Sequence, residues 1–406
     1  MSRFHSYINT AKKLIETYRG DIPFAVFIRQ FFASNKKYGS KDRRQISSLC
    51  YNYFRLGNAA ANLPLEDKII LAFFLCGKEP SEMMEKLNPD WNSQVTQPLE
   101  IKLSITGQDF SLTDIFPYTD DLSQAIEPEQ FCRSFLLQPD LFIRIRPHTR
   151  ATTLKKLEKS KLSYQVVNED GVRMPPSTNL EDHFIIDKEV VIQDLNSQQV
   201  LNFLKDEQVQ TGFKGSQTKE GIAIWDCCAA SGGKSILLTD IFHKRIDLTI
   251  SDIRASIVLN LHQRFIKAGI KQYKYFISDV SDPDFTPIAS DFDLIVCDAP
   301  CTGSGTWSRT PEQLCFFNKA SIAAYSKLQK KIVSNVLPHL QTNGLFVYIT
   351  CSVFKAENEH IAAFITGKFN CKLLYQQQLI GYLQKADTMF VAVFRKLPGE
   401  ELVDHV

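Results

Sequence analysis

Four carboxylates follow short apolar runs at regular intervals in the second half of this 406-residue chain. In chain order they are Asp226, Asp252, Asp279 and Asp298. Apolar runs that alternate with helix-like segments indicate a parallel sheet, whose ligands bind at the carboxyl ends of the strands. A carboxylate after the second strand suits ribose hydroxyls, and one after the third reaches an adenine amino group. Any one aspartate is explained as a helix cap, but the four together predict an adenosine-containing ligand.

The stretch WDCCAASGGKS at 225–235 follows the first of these strands. Its end resembles a nucleotide-binding P-loop, but that loop needs a glycine at position 228, where this chain has Cys228. The G-x-G-x-x-G pattern of dinucleotide loops is also not matched. The aspartates alone do not distinguish NAD from S-adenosylmethionine, whereas a short loop with few glycines suits a cofactor without a pyrophosphate.

Two thiols follow two further strands. Cys301 lies in DAPCTGSGTWSR and Cys351 in YITCSVFKAENE, so both are expected at the mouth of the cofactor pocket. A thiolate beside a methyl donor has a recognised task, because its attack on carbon 6 of cytosine raises the electron density at carbon 5. A neighbouring acid or hydrogen-bonding carboxylate such as Asp298 would stabilise the ring in that state. The spacing does not say which cysteine is the nucleophile.

The wider pattern divides the chain into three predicted domains, 1–138, 139–220 and 221–406. The first reads as helices, with segments such as LEDKIILAFFLCGK. The second combines the strand-like LFIRIRP with the helix-like TTLKKLEKSKL, which indicates a small α+β subdomain. In the third, strands alternate with helices, which predicts an α/β fold with a doubly wound, Rossmann-like sheet.

The bulk properties are those of an ordinary globular protein, with 44% apolar and 23% charged residues. Residues 1–60 carry eleven Lys/Arg and three Asp/Glu, a balance of +8, which suits a polyanion or simply a solvated helical surface. No apolar run approaches the roughly 18 residues of a membrane span, and the first residues do not form a secretory signal. We therefore expect a cytoplasmic protein with no membrane partner.

The ten cysteines are scattered, and no two pairs of them have C-x-x-C spacing. We accordingly expect no metal site and reduced thiols. Cys227, Cys228 and Cys297 lie in or beside apolar strands and are interpreted as packing residues.

Three segments, WDCCAASGGKS, DAPCTGSGTWSR and YITCSVFKAENE, resemble the signature motifs of the RsmB/Nop/Sun-type RNA 5-methylcytosine methyltransferases. VIQDLNSQ at 191–198 and LFIRIRP at 141–147 are similar to two other family segments. KKYGSKDRRQISSLCYNYFR resembles the helical, NusB-like extension of the bacterial RsmB (Fmu/Sun) ribosomal RNA methyltransferases. The likeness covers nearly the whole chain and is weakest over about 60–135. One departure is Ser231, which stands where the family has a proline.

The resemblance implies that S-adenosylmethionine is the cofactor and that Cys351 is the nucleophile at carbon 6. It also implies that Cys301 assists release of the methylated product. Asp252 is placed at the ribose and Asp279 near the adenine, while Lys234 and Asp298 lie by the target base and the methyl group, so that Asp298 also counts as a cofactor contact. The implied cofactor loop comprises Cys228, Ala229, Ala230, Ser231, Gly232, Gly233 and Lys234.

RNA is the expected partner of a monomeric enzyme with an RRM-like second domain. Arg144 and Arg146 are candidates to hold phosphates, or are simply exposed strand residues. Trp307 and Arg309 are candidates to stack on or clamp a base, although core packing is an equally open reading of Trp307. Small-subunit (16S) ribosomal RNA is the expected substrate. Transfer RNA, large-subunit ribosomal RNA, a P-loop hydrolase and a non-catalytic RNA-binding assembly factor remain the alternatives.

Overall fold

The computed structural model describes residues 3–107, 111–213, 221–243, 245–287 and 291–398. The chain forms two compact units. We call the first the helical unit; it consists of residues 1–122, 127–138 and 306–319. The second, which we call the sheet unit, consists of residues 123–126, 139–305 and 320–406. The last residues of the predicted Cys301 motif, from Thr306 onward, therefore belong to the helical unit, and the rest of the motif belongs to the sheet unit.

Amphipathic segments build the helical unit. Apolar side chains such as Leu14, Phe24, Leu49 and Phe54 recur at helical spacing and meet in one buried cluster. Ser81 begins one short helix by accepting a hydrogen bond from the backbone N–H three residues later, as an N-cap does. The helices are α1 (Arg3–Thr17), α2 (Phe24–Ser34), α3 (Ser40–Arg55), α4 (Leu65–Cys76), α5 (Glu82–Leu87), α6 (Pro89–Gln94), α7 (Leu99–Thr106) and α8 (Pro128–Ser134).

A small antiparallel sheet opens the sheet unit. Its strand order is β2-β3-β1-β4, and the helix α9 follows its first strand. Ile143, Leu157 and Val172 belong to the core between this sheet and its helix. The elements are β1 (Leu141–Ile145), α9 (Arg150–Lys159), β2 (Gln165–Val166), β3 (Gly171–Met174) and β4 (Val190–Ile192), followed by α10 (Leu195–Gln199) and α11 (Glu207–Gly212).

A seven-stranded sheet forms the rest of this unit. Its order is β10-β11-β9-β8-β5-β6-β7; the five strands from β9 to β7 are parallel, and β11 and β10 join them by antiparallel pairing. The elements are β5 (Ile222–Asp226), α12 (Gly233–Ile241), β6 (Ile246–Asp252), α13 (Ala255–Ala268), β7 (Lys274–Ile277), β8 (Phe292–Asp298), α14 (Gln313–Phe316, in the helical unit), α15 (Ala320–Val336), β9 (Leu340–Thr350), α16 (Glu359–Lys368), β10 (Cys371–Leu379) and β11 (Met389–Lys396).

The order of the strands determines where a ligand can bind. From β5 the chain proceeds outward through β6 and β7, then returns to place β8 on the other side of β5. Loops after two neighbouring strands therefore diverge at the carboxyl ends of β5 and β8, which opens a crevice at that point. The two faces of the sheet are covered by separate apolar clusters, represented by Ile224 and Leu294 on one and by Trp225 and Ile295 on the other.

The predicted fold class is confirmed: the chain has an α/β sheet, mostly parallel, with helices before it. The domain boundaries and the NusB-like character of the first domain stay predictions, and residues 214–220, next to the boundary placed at 220, lie outside the described part. Within the described residues, no helix combines the length and apolarity that crossing a bilayer requires.

Candidate active site

A cavity of about 560 Å³ lies at the carboxyl ends of the parallel strands. Cys228, Asp252, Asp279 and Asp298 line it, so the structure brings together residues that the sequence analysis placed in one site. Its other lining residues are Cys227, Ala230, Ile253, Arg254, Ser278, Val280, Pro300, Cys301, Tyr325, Leu328 and Ile332. The wall thus combines carboxylates with apolar side chains, as is typical of small-molecule sites.

The loop after β5 packs its backbone against the next strand. The N–H of Ala230 donates to Asp252 Oδ2 at 3.0 Å, and the N–H of Ala229 donates to the carbonyl of Ser251 at 2.9 Å. Gly232 has φ +82°, and a Cβ at this position would lie 2.8 Å from the ring of Phe265. Glycine is therefore required here both by the backbone conformation and by the close approach of α13.

Five residues of the predicted cofactor loop are not among the residues that line the cavity: Ala229, Ser231, Gly232, Gly233 and Lys234. Gly233 is the first residue of α12. Ser231 is held from α13 by Arg264, whose guanidinium donates to its Oγ at 3.0 Å and to its carbonyl at 2.9 Å. Lys234 extends from the first turn of α12 toward Asp298. The loop is therefore fixed from two sides, by Asp252 and by Arg264.

Asp252 keeps its negative charge toward the cavity. Burial raises the pKa of its carboxyl group, but hydrogen bonds from Arg254, the charge of Arg254 and the N–H of Ala230 outweigh burial and lower it overall. An ionised carboxylate at this place is an acceptor for hydroxyl groups. Asp279 lies two residues past the end of β7 and also faces the cavity.

Lys234 and Asp298 form an ion pair in which Nζ and Oδ2 are 2.5 Å apart. Burial lowers the pKa of the lysine, but the charge and the hydrogen bond of Asp298 act the other way, and the net pKa is raised. The ammonium is therefore retained. The pair presents a fixed donor and a fixed acceptor next to Cys301 and Cys351.

Asp226 differs from the other three strand-end aspartates. Its side chain is completely buried and accepts a hydrogen bond from Ser235 Oγ at 2.6 Å. Burial raises the pKa of this carboxyl to about 7, although the Ser235 hydrogen bond opposes the shift. Asp226 therefore ties β5 to α12 beneath the cofactor loop and does not line the cavity.

The two predicted chemical thiols are adjacent: Cys301 Sγ and Cys351 Sγ are 3.4 Å apart, and both side chains are partly exposed. The turns that carry them are also bonded to each other, since the N–H of Gly305 donates to the carbonyl of Cys351 at 2.8 Å. A Cβ on Gly305 would lie 2.0 Å from the carbonyl of Thr388. The close approach of the chain at Thr388 therefore requires glycine at position 305.

Glu357 is a residue to which the sequence analysis assigned no role. Its buried carboxylate accepts from the N–H of Thr302 at 3.0 Å and from Thr302 Oγ1 at 2.9 Å. Tyr348 donates its hydroxyl to the backbone carbonyl of Glu357 at 2.7 Å. The carboxylate therefore holds the residue after Cys301 in place. The motif segment ENE contained this residue, but only the fold identifies its partner.

The RNA contacts predicted for Arg144 and Arg146 are wrong. Both side chains are buried, with 3% and 0% of their residue surface exposed, and both bind Asp240 on α12 at 2.7 Å. Arg146 also donates to the carbonyl of Ala268 at 2.7 Å. Guanidinium groups enclosed in this way cannot reach phosphates; they join the small sheet to α12 and α13.

Trp307 is likewise unavailable for the base stacking that we predicted. Only 2% of it is exposed, and its ring lies 4.7 Å from that of Phe317 and 5.8 Å from that of Phe116, within the helical unit. The core-packing interpretation is therefore the correct one. Arg309 is half-buried in the same segment, and its proposed contact with RNA stays a prediction.

A Rossmann-like sheet with this cavity and a thiol pair beside it is the setting for comparison with known proteins. Residues 216–405 match the family model described as 16S rRNA methyltransferase RsmB/F. This part of the chain is therefore similar to the RsmB/Sun-type RNA 5-methylcytosine methyltransferases.

Curated relatives show the same similarity. The tRNA (cytosine(72)-C(5))-methyltransferase NSUN6 of Homo sapiens is 28% identical over 51% of this chain and 44% of its own length. The ribosomal RNA small subunit methyltransferase B of Proteus mirabilis is 28% identical over 64% of this chain and 60% of its own. The chain thus spans about half of each of these relatives. Among solved structures, that of PH0851 has a TM-score of 0.67 at 18% identity, covering 98% of this chain and 100% of that one, which is a likeness of fold.

Proposed function

We propose that this protein methylates carbon 5 of a cytosine in RNA, with S-adenosylmethionine as the methyl donor and Cys351 as a covalent nucleophile. The observation that carries the proposal is the 3.4 Å separation of the Cys301 and Cys351 sulfurs, with Cys301 in the wall of a cofactor-sized cavity. The match of residues 216–405 to the RsmB/F family model supports the same class of reaction.

The cavity fits the cofactor. S-Adenosylmethionine, when bound, supplies an electrophilic methyl group. The volume of about 560 Å³ is within the usual range for small-molecule sites, roughly 300–1,000 Å³. The ionised carboxylate of Asp252 accepts the ribose hydroxyls, and Asp279, with the apolar Ile253 and Val280 near it, suits the adenine.

The electrostatics of the thiol pair favour Cys351 as the nucleophile. The hydrogen bond with Cys351 raises the pKa of Cys301, and burial raises it further. Cys301 thus remains a protonated thiol, which is the less reactive form of a cysteine. Addition to carbon 6 of the ring requires a thiolate, so we assign it to Cys351, the other member of the pair.

Addition of the thiolate moves an electron pair from the C5–C6 bond toward carbon 5 and the N3–C4 edge. The Lys234–Asp298 pair offers that edge an ammonium donor and a carboxylate acceptor, already fixed 2.5 Å apart. Charges arranged before the reaction need no reorganisation as electron density develops on the ring. Carbon 5, now enamine-like, is the atom that receives the methyl group.

Release of the product requires removal of the proton on carbon 5. We assign this step to Cys301. Once Cys351 is bonded to carbon 6, its sulfur is no longer an anion, so the largest cause of the raised Cys301 pKa is gone. Cys301 can then lose its proton and act as the base. As it takes the carbon 5 proton, the C5=C6 bond re-forms and the C6–S electron pair returns to Cys351.

We propose small-subunit ribosomal RNA as the substrate and transfer RNA as the second candidate. The relative from Proteus mirabilis is a small-subunit ribosomal RNA methyltransferase, and the human relative is a transfer RNA methyltransferase. A target cytosine must leave its stack to meet a thiol, so an unpaired or flexible site is expected in either RNA.

The reaction is tested by transfer of labelled methyl from S-adenosylmethionine to 16S ribosomal RNA, with transfer RNA and 23S ribosomal RNA in parallel. We expect incorporation into 16S RNA at cytosine carbon 5, loss of incorporation with Cys351→Ala, and unchanged cofactor affinity by calorimetry. Cys50→Ala, in the helical unit, is the matched control and retains activity. If the protein binds the cofactor but methylates none of the RNAs, the result would favour a non-catalytic factor. If it binds ATP instead of the cofactor, the result would favour a nucleotide hydrolase.

A further inference from the structure

Three other thiols converge beside the cofactor cavity. Cys227 follows β5, Cys297 is the penultimate residue of β8, and Cys228 begins the cofactor loop. Their sulfur atoms all lie within 4.8 Å of one another. The parallel pairing of β5 with β8 brings them together, since the N–H of Cys227 donates to the carbonyl of Val296 at 3.0 Å. Spacing along the chain gave no sign of this cluster.

The register of two strands explains why the sulfurs meet. Asp226 of β5 lies opposite Val296 of β8, so Cys227 and Cys297, the next residues on each strand path, are neighbours. Cys228 completes the group, with all three sulfurs within 4.8 Å of one another. One cation among the three can therefore contact every sulfur after small shifts.

We propose that Cys227, Cys228 and Cys297 form a binding site for one soft d10 metal ion of the class that includes Zn²⁺, Cu⁺ and Cd²⁺. Thiolates select soft cations, and the cluster contains no oxygen or imidazole ligand among the described residues. A Zn–S bond of about 2.3 Å requires sulfurs about 3.8 Å apart in a tetrahedral site. Shifts of about 1 Å or less therefore complete the coordination.

The site has a buried side and an open side. Cys227 and Cys297 are 1% and 0% exposed, whereas Cys228 is partly exposed, and Cys227 and Cys228 belong to the cavity wall. A fourth ligand, water, is therefore supplied from the cavity for an ion that needs one. The bound ion links the cofactor loop to β8. Each protonated thiol gives up its proton to solvent on binding, so binding of the ion releases protons.

This inference does not rest on the proposed methyl transfer, because the covalent steps use Cys301 and Cys351, and metal binding by the other three thiols is measured without the cofactor. The probe is Cd²⁺, whose bonds to thiolates absorb in the ultraviolet. The protein is the full chain carrying Cys301→Ala and Cys351→Ala, so that the neighbouring thiol pair cannot contribute. We expect one Cd²⁺ per chain, by absorbance titration and native mass spectrometry, and protection of Cys228 from alkylation.

In the same background, Cys297→Ala should weaken binding at least a hundredfold, while Cys50→Ala, a buried thiol of the helical unit, should leave it unchanged. Circular dichroism verifies that each variant is folded. If Cys297→Ala does not fold, Cys228→Ala, at the partly exposed position, provides the same test. The proposal is overturned if the folded parent binds no Cd²⁺ in 1:1 ratio, or if the variant at 228 or 297 binds it as tightly as the parent.

Discussion

Arg264 replaces, through hydrogen bonds, the rigidity that a proline at position 231 would give the cofactor loop. Its guanidinium bonds both the Oγ and the carbonyl oxygen of Ser231, and it is itself held by a buried ion pair with Asp187 at 2.7 Å. Proline restricts a loop by fixing φ. The Arg264 guanidinium restricts it instead by charge-assisted hydrogen bonds to two atoms of Ser231. The departure from the family sequence is therefore compensated from α13.

The first prediction concerns this anchor. Arg264→Lys keeps the charge near Asp187, but one ammonium cannot bond Asp187 and both atoms of Ser231 as the three guanidinium nitrogens do, so cofactor affinity should fall about tenfold, which corresponds to ~1.4 kcal/mol. Adding Ser231→Pro to that variant should restore most of the affinity, because the loop is ordered again in the free protein. Calorimetry with S-adenosylmethionine measures both. Equal affinity of Arg264→Lys and the parent protein would show that the anchor does not order the loop.

The second prediction concerns the carboxylate that positions the Cys301 turn. Glu357→Gln replaces one acceptor oxygen by an NH₂ group, which faces the N–H and hydroxyl of Thr302, both of which donate to Glu357. The turn should shift, and kcat for methyl transfer should fall by about tenfold to a hundredfold, because small displacements of a nucleophile or base are costly. The cofactor dissociation constant should not change, since Glu357 does not line the cavity. A change in cofactor affinity with an unaltered kcat would contradict this role.

The third prediction follows from the buried carboxyl of Asp226. Its pKa of about 7 means that the folded state favours the protonated form. The stability it contributes is fully present at acid pH and is lost as the pH rises from about 4 through about 7. The free energy of unfolding of the parent should therefore fall by roughly 2–3 kcal/mol more than that of Asp226→Asn between pH 5 and pH 8. Urea denaturation at both pH values measures this, and parallel pH trends in the two proteins would refute it.

The fourth prediction tests the structural role of the buried arginines. Asp240→Asn leaves Arg144 and Arg146 without their shared counter-charge, so the free energy of unfolding should fall by ~3–5 kcal/mol. Asp247→Asn is the matched control: its partner Lys274 is 45% exposed, and its loss should cost at most ~1 kcal/mol. At a temperature where both variants are folded, the salt dependence of RNA binding should equal that of the parent. A steeper dependence for Asp240→Asn, in which the arginines have lost their competing carboxylate, would restore the arginines as RNA contacts.

Sequence reasoning succeeded where local pattern determines structure. The alternation of strands and helices predicted the sheet, and its topology in turn placed Asp252, Asp279, Asp298 and Cys301 around one cavity. It failed where a partner is distant in the chain. The alternating LFIRIRP suggests one exposed face, but Asp240, which accepts both arginines, lies more than ninety residues away, so both faces of β1 are covered.

For the thiols, too, the sequence predicted which residues meet but not how they interact. Their positions after strands predicted that Cys301 and Cys351 meet, and the strand pairing fulfils this. The raised pKa of the Cys301 thiol, which favours Cys351 as the nucleophile, depends on the neighbouring sulfur and on burial, and no spacing expresses either. The cluster of Cys227, Cys228 and Cys297 likewise arises from the register of β5 against β8.

The central claim is that Cys351 bonds covalently to a pyrimidine and that Cys301 releases it. The most direct measurement is a denaturing gel of Cys301→Ala after incubation with 16S ribosomal RNA and S-adenosylmethionine. The account predicts a protein–RNA adduct that survives denaturation, absent when Cys351→Ala is added to the same chain. An adduct that persists in the double variant, or only free protein together with intact methyl transfer by Cys301→Ala, would contradict it.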